Sequence, residues 1–163
     1  MPDEIEIRSP TMDDGAAMWR LAAAAGELDV NSSYAYLLWC RDFSATSVVA
    51  VAPDGTGLAG FITGYMRPDD PSVLLVWQVA VSPEHRRKGI AAAMLDEMVA
   101  VSARHGGTHL ETTVTPGNVP SRTMFAALAE RHSARSIESE LMVSGHFPDE
   151  HEPERLIRIG PFR

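Results

Sequence analysis

Residues 73–91 read VLLVWQVAVSPEHRRKGIA, and this stretch decides the fold. Its first nine residues are almost all apolar, which predicts a strand buried on both faces in the centre of a sheet. A basic turn containing Gly89 follows, and apolar residues then recur at helical spacing as far as Arg104. The stretch therefore predicts a buried strand, a basic turn and a helix in direct succession.

The turn at 85–89 has the chemistry of an anion site. Backbone N–H groups at a helix N-terminus are unpaired, the helix dipole adds partial positive charge, and arginine supplies fork-shaped donors. Gly89 permits close approach, so a pyrophosphate fits. A solvated basic turn is the alternative, but four cationic or titratable groups at 85–88 are harder to dismiss in a chain of net charge −8.

The rest of the chain predicts short elements in a mixed order. Helices are expected at 12–25, 34–43, 89–104 and 121–131, and strands at 5–8, 46–52, 58–65, 73–81, 109–115, 136–143 and 155–159. Turns are expected at 53–57 and 67–72, and an exposed acidic loop at 144–154. This order predicts an α/β fold of the α+β type with a mixed sheet, and three antiparallel strands in a row argue against a doubly wound sheet.

Composition restricts the class of protein. The chain has 163 residues, 45% of them apolar, which suits a single domain over 1–163. No apolar run approaches the roughly 18 residues of a membrane span, and the acidic N-terminus does not resemble a signal peptide, so a cytoplasmic protein is expected. The acidic charge balance argues against nucleic-acid binding. Cys40 is expected to be a buried small apolar residue, and scattered histidines predict no metal site.

Two motifs resemble those of the GNAT N-acetyltransferases. Residues 86–91 (RRKGIA) carry the R-x-x-G-x-A pattern with which that family binds the pyrophosphate of acyl-CoA. Asn118, Ser121 and Phe125 match a second element, which in the family follows the next strand. A lone R-x-x-G-x-A pattern is weak, whereas the ordered pair over about 73–130 is specific. The resemblance implies the GNAT fold.

Longer segments resemble one group of these enzymes, the L-2,4-diaminobutyrate N-acetyltransferases of ectoine biosynthesis. The segments are 28–40, 61–65, 76–90, 110–118 and 151–162. The resemblance implies acetyl transfer from acetyl-CoA to the 4-amino group of the diamino acid, which feeds the synthesis of an osmoprotective compatible solute, by a cytoplasmic homodimer. A GNAT enzyme for another small amine, and a non-catalytic acyl-CoA-binding module, remain alternatives.

The same resemblance implies where acetyl-CoA binds. The backbone of Val79 and Val81 would pair with the pantetheine arm, and the main chain near Val79 would polarise the thioester carbonyl. The implied cofactor-binding set is Val79, Ala80, Val81, Arg86, Arg87, Lys88, Gly89, Ile90, Ala91, Asn118, Ser121 and Phe125. For Phe125, plain core packing is the alternative.

Acetylation of an amine needs a proton acceptor, because an ammonium cannot attack a thioester. Glu111, Glu152 and Glu154 are candidates, and a solvated surface position is the alternative for each. Phe125 stands where many GNAT enzymes have a tyrosine that protonates the leaving thiolate. Tyr34, Tyr36 or water would then serve as the acid, or the thiolate would leave unprotonated, since an ordinary thiol has a pKa near 8.5.

A diamino acid also needs groups that recognise its second amine and its carboxylate. Asp29 and Glu152 are expected to contact ammonium groups, although Asp29 also suits a turn or a helix cap. The full set expected at the acceptor site is Asp29, Asn31, Ser32, Tyr34, Tyr36, Trp77, Thr115, His151, Glu152 and Glu154.

Overall fold

The computed structural model describes residues 5–26 and 28–163. Within them, seven strands and four α-helices follow one another in the predicted order, β1-α1-α2-β2-β3-β4-α3-β5-α4-β6-β7. The strands are β1 (Glu6–Arg8), β2 (Val48–Val51), β3 (Leu58–Arg67), β4 (Asp70–Val81), β5 (His109–Val114), β6 (Arg135–Met142) and β7 (Glu154–Gly160). The helices are α1 (Gly15–Ala25), α2 (Ser33–Asp42), α3 (Ile90–Arg104) and α4 (Val119–Arg131).

The described strands form one sheet in the order β1-β2-β3-β4-β5-β7-β6. Neighbours in it are antiparallel apart from β4 and β5, which are parallel and connected by the crossover helix α3. A parallel pair requires such a crossover, whereas antiparallel strands can be joined by a tight turn, as β3 and β4 are. The mixed sheet confirms the predicted fold class.

The parallel pair separates halfway along. The ladder between β4 and β5 ends where Val76 lies opposite Thr112. Beyond that point β4 continues to Val81 and β5 to Val114, but these two described segments are not paired with each other. The sheet therefore contains a cleft in its middle, open toward the carboxyl ends of both strands.

A β-bulge lies at the level where the two strands separate. On the β3 side, Thr63 faces Gln78 and Gly64 faces Val76, so Trp77 is the extra residue of β4. A bulge bends its strand and increases the local twist. The Thr63 hydroxyl accepts from the Gln78 N–H at 3.1 Å, which satisfies a backbone group at the irregularity. The bulge thus directs the second half of β4 away from β5.

Helices cover both faces of the sheet. On one face α3 contributes Met94 and Met98, both fully buried. On the other face α1 and α2 pack through Met18 and Tyr36 against Phe61 of β3. These two layers hold the central strands rigidly at the edges of the cleft.

Cys40 belongs to the second of these layers and is 3% exposed, which confirms its expected role as a buried small residue. Burial raises the pKa of its thiol to about 11, so the thiolate is disfavoured at neutral pH. None of the helices within the described ranges has the length and apolar character to cross a membrane.

Two predictions about β4 are wrong in detail. The turn expected at 67–72 is mostly strand, because Arg67 pairs with Asp70 across a tight connection and β4 already begins at Asp70. Burial on both faces also fails at Trp77, whose side chain is 41% exposed, because the bulge places it at the cleft.

The bulge suggests a test of stability at Gly64. A Cβ there would lie 2.8 Å from the Leu75 carbonyl oxygen and 3.1 Å from that of Thr46, two backbone atoms that cannot move cheaply. We expect Gly64→Ala to lower the free energy of unfolding by about 1–3 kcal/mol, as overpacking does. Urea unfolding measures the change. Gly145→Ala is the matched control, because a Cβ at Gly145 meets nothing within 4 Å, and an equal loss in both variants would contradict the argument.

Candidate active site

Three adjoining cavities follow the cleft. The loop cavity, about 180 Å³, lies beside the turn before α3 and is lined by residues including Val81, Arg86 and Ala91. The central cavity, about 430 Å³, lies between the separated strands and includes Val79 and Thr115. The aromatic cavity, about 680 Å³, is lined among others by Trp39, Tyr65, Trp77, Glu111 and Phe147. Shared lining residues connect the central cavity to each of the other two.

The loop cavity has the features of an anion site. Arg86 lines it and donates from Nη2 to the Ala25 carbonyl at 3.1 Å, which holds the guanidinium beside the cavity. Gly89 has φ +77°, a left-handed conformation that favours glycine, and it precedes the first turn of α3. Ala91 of that turn also lines the cavity. Unpaired N–H groups of a helix start and an arginine therefore flank the same space.

The backbone of β4 presents donors to the cleft. The N–H groups of Gln78 and Ser82 donate toward β3, to the Thr63 hydroxyl at 3.1 Å and the Ala59 carbonyl at 2.8 Å. Because successive N–H groups of a strand point to alternate sides, those of Val79 and Val81 point away from β3 and into the cleft. These two N–H groups are therefore placed to pair with an extended ligand.

The start of α4 forms the opposite wall. The Asn118 side-chain oxygen accepts from the Ser121 N–H at 3.2 Å, so Asn118 caps the helix while both residues line the loop and central cavities. Phe125 is 2% exposed and belongs to the main core, yet it also lines the central cavity. Cofactor contact and core packing, posed as alternatives for Phe125, are therefore compatible.

Five residues line both the central and the aromatic cavities, and we call them the junction. They are Asp29, Trp77, Thr113, His151 and Glu154. Three are titratable, and two of those are carboxylates. The Glu154 carboxylate accepts from the Thr113 hydroxyl at 2.9 Å, which fixes it at the boundary of the two cavities. The junction therefore suits a cationic ligand that extends from one cavity into the other.

Gln78 attaches the Asp29 segment to β4. Its side chain is 4% exposed, its Nε2 donates to the Asp29 carbonyl at 2.9 Å, and its Oε1 accepts from the Tyr36 hydroxyl at 3.0 Å. A buried amide with both ends bonded is well satisfied. The segment that contributes Asp29 to the junction is thus bonded to the strand that lines the cleft.

His151 is held by two contacts. Its ring stacks on Phe147 with centroids 4.0 Å apart, and its Nδ1 lies 2.5 Å from the Glu152 carbonyl oxygen. That hydrogen bond, helped by the charges of Glu154, Asp29 and other carboxylates, raises the pKa of His151 above its usual value of about 6.5.

Glu111 lies at the far end of the aromatic cavity and is nearly buried. Its carboxylate accepts from Arg158 Nη1 at 2.9 Å, and Arg67 lies 3.9 Å from its other oxygen. Both carboxylate oxygens of Glu111 thus face guanidinium groups. The geometry therefore favours Glu111 as an anchor for arginine and not as the base.

Several residues expected at the acceptor site line none of these cavities. Ser32 caps α2 by accepting from the Ala35 N–H at 3.3 Å, and the Tyr34 side chain is 68% exposed. Tyr36 is fully buried with its hydroxyl bonded to Gln78, and Glu152 is exposed. In this arrangement neither tyrosine presents a free hydroxyl to the cleft.

The predicted cofactor residues also divide into two groups. Ala80 lines the loop cavity, although its side chain is buried in the second core layer. Arg87 and Lys88 are exposed and line none of the three cavities, and Ile90 points into the main core at 3% exposure. Their backbone, rather than their side chains, lies at the start of α3.

Asn31 and Thr115, expected at the acceptor site, line the central cavity. Sequence reasoning missed Thr113, Arg67 and several aromatic side chains of the aromatic cavity. A period-two pattern could have indicated Thr113, because alternate residues of β5 face the same side as Glu111. Among the described residues, no group of three or more His, Cys, Asp or Glu side chains is arranged to hold a metal ion.

Comparisons with known proteins agree with this geometry. The sequence profile of the acetyltransferase (GNAT) family matches residues 16–129. The L-2,4-diaminobutyric acid acetyltransferase of Streptomyces avermitilis is 51% identical over 99% of this chain and 90% of its own length. That of Streptomyces coelicolor is 52% identical over 97% and 94%.

Solved structures give the same result. Diaminobutyrate acetyltransferase EctA from Paenibacillus lautus, in complex with its substrate L-2,4-diaminobutyric acid and coenzyme A, superposes with a TM-score of 0.91 at 41% identity, covering 98% of this chain and 96% of that one. Ard1 from Thermoplasma volcanium, with a TM-score of 0.75 at 14% identity over 97% of each chain, shares the fold.

The profile match defines the class of protein: the chain belongs to the acetyltransferase (GNAT) family. The cleft between the separated strands and the anion site in the loop cavity agree with this class. Identity above 50% over nearly the whole chain specifies the group further. The chain belongs with the L-2,4-diaminobutyric acid acetyltransferases.

Proposed function

We propose that this protein transfers the acetyl group of acetyl-CoA to the 4-amino group of L-2,4-diaminobutyrate, yielding N4-acetyl-L-2,4-diaminobutyrate for ectoine biosynthesis. The observation that carries the proposal is the cleft itself, which has an anion site at one end and two carboxylates at its junction. The first suits a pyrophosphate, and the second suits a cationic amine. The substrate and coenzyme A named for the Paenibacillus lautus structure support the same assignment.

The loop cavity suits the pyrophosphate of acetyl-CoA. Arg86 and the N–H groups at the start of α3 would bind it, with Asn118 and Ser121 on the opposite wall. The N–H groups of Val79 and Val81 would pair with the pantetheine arm and continue the sheet across the gap. The thioester would then lie in the central cavity, where the Val79 N–H supports the oxyanion of the tetrahedral intermediate.

The junction and the aromatic cavity suit the diamino acid. Asp29 and Glu154 supply opposite charges for its ammonium groups. Arg67, which lines the aromatic cavity, supplies a cation for its carboxylate, while Arg158 holds Glu111. The Trp77 side chain, stacked on Trp39 with centroids 5.1 Å apart, walls the cavity beside the carbon chain.

Glu154 is the proposed proton acceptor. It lines both the central and the aromatic cavities, where the thioester and the amine would meet, and the Thr113 hydroxyl bonds only one of its two oxygens. Glu111 is paired with arginine and Glu152 lies outside the cavities, so neither competes for this role. The ammonium would lose one proton to Glu154 before the neutral nitrogen attacks the carbonyl carbon.

We also propose that the protein acts as a single-domain, cytoplasmic homodimer that binds neither nucleic acid nor membrane. The edge strand β6 supports the assembly, because all eight of its residues are exposed and they include Ile137 and Leu141. A strand whose outer edge is unpaired and whose apolar side chains are exposed is a suitable surface for a second copy.

The direct test measures free-thiol release from acetyl-CoA by purified protein with L-2,4-diaminobutyrate, and with ornithine, lysine and spermidine in parallel. We expect rapid turnover confined to diaminobutyrate, and product analysis by NMR should show acetyl on the 4-amino nitrogen. Preference for another amine would keep the GNAT assignment and reject this substrate. Binding of acetyl-CoA without any transfer would favour a non-catalytic acyl-CoA-binding module.

The anion site predicts the effect of reversing one charge. Arg86→Glu should raise the Kd for coenzyme A at least tenfold, because a carboxylate would then face the pyrophosphate; this corresponds to about 1.4 kcal/mol. Isothermal titration calorimetry measures it. Arg104→Glu is the control, because Arg104 lies at the other end of α3, where it pairs with Glu97 at 3.0 Å. Equal weakening in both variants would indicate a general charge effect.

The role proposed for Glu154 predicts that turnover falls when its charge is removed. Glu154→Gln should lower kcat on the order of 10²-fold at saturating substrates, the usual contribution of a general base. Steady-state kinetics measures it, with Glu152→Gln as the matched control two residues away and outside the cavities. A larger loss at Glu152 than at Glu154 would reverse the assignment.

A further inference from the structure

No tyrosine of the described residues lines the central cavity, where the thioester would lie, since Tyr65 lines only the aromatic cavity. Phe125 cannot donate a proton, Tyr34 is exposed away from the cavities, and the Tyr36 hydroxyl is bonded to Gln78. The Thr113 hydroxyl donates to Glu154. Aliphatic hydroxyls are in any case far weaker acids than a thiol. A different group must therefore protonate the sulfur if it is protonated within the site.

His151 has the geometry for this task. It lines the central cavity, where the thioester would lie, and the aromatic cavity, where the amine would lie. A carbonyl oxygen can only accept, so the contact with the Glu152 carbonyl places a hydrogen on Nδ1. Nε2 is consequently the atom that gains and loses a proton. The stack on Phe147 restricts the ring to one plane.

We infer that His151 is the general acid that protonates the departing coenzyme A thiolate, an inference that rests on the proposed function. The charges around the ring agree with this role. The Glu152 carbonyl, the carboxylates of Glu154 and Asp149, and Asp29 across the junction all favour the imidazolium, and together they raise the pKa of His151. At neutral pH His151 is therefore protonated in a larger fraction of the molecules, which supplies the proton that the step needs.

The proton balance closes without another reactant. After the neutral amine attacks, the carbonyl re-forms and the C–S bond breaks, with its electron pair leaving on sulfur. The proton on Nε2 passes to that sulfur and gives the free thiol. The neutral imidazole then takes the remaining excess proton from the acetylated nitrogen, which restores the imidazolium and leaves the neutral amide. Glu154 releases the first proton to solvent.

The test compares His151→Gln with His146→Gln in the same loop. His146 is exposed, accepts at Nδ1 from the Val143 N–H at 3.1 Å, and lines none of the three cavities, so it is a matched control. We expect His151→Gln to lower kcat on the order of 10²-fold, with little change in either KM. His146→Gln should stay within twofold of the parent.

The pH profile separates a chemical role from a structural one. Because the acid form is required, kcat of the parent should fall as pH rises through the raised pKa of His151. His151→Gln should lack this descending limb, and imidazole should restore turnover to His151→Ala. An unchanged limb or unchanged kcat in His151→Gln would overturn the inference, as would equal losses in both histidine variants. Absence of turnover in the parent would instead reject the proposed function.

Discussion

The separation of β4 from β5 beyond Val76 and Thr112 is the constraint on which the rest of the structure depends. A strand in the middle of a sheet normally has both edges paired, and buried backbone groups without partners are costly. Here the Trp77 bulge and two packed helical layers hold the strands apart, so the free N–H groups of β4 are offered to a ligand. The fold thus leaves backbone N–H groups that an extended ligand can satisfy.

The distribution of charge along the cleft differs from the charge balance of the whole chain. The chain as a whole is strongly acidic, with a formal net charge of −8. Nevertheless Arg86 lies at one end of the cleft, Asp29 and Glu154 at its centre, and Arg67 with Glu111 at the other end. An anionic ligand and a cationic one therefore find complementary fields within one continuous space, and the overall charge affects mainly how each approaches.

Local sequence signals predicted the element order and the motifs, because periodicity, caps and the pattern at 86–91 are each contained in one short stretch. The prediction of a turn at 67–72 was wrong because cross-strand pairing overrode the local turn propensity. The junction was only partly predictable for a similar reason. Thr113 meets Glu154 across 41 residues and Tyr36 meets Gln78 across 42, and a single sequence carries no signal of either contact.

The two side-chain hydrogen bonds of Gln78 have a mechanical consequence. One buried amide joins the strand that faces the cleft to the Asp29 segment and to Tyr36 of α2. A displacement of β4 at this point would therefore also displace the segment that carries Asp29. A ligand that pairs with this part of β4 would therefore bear on the position of Asp29 through one side chain.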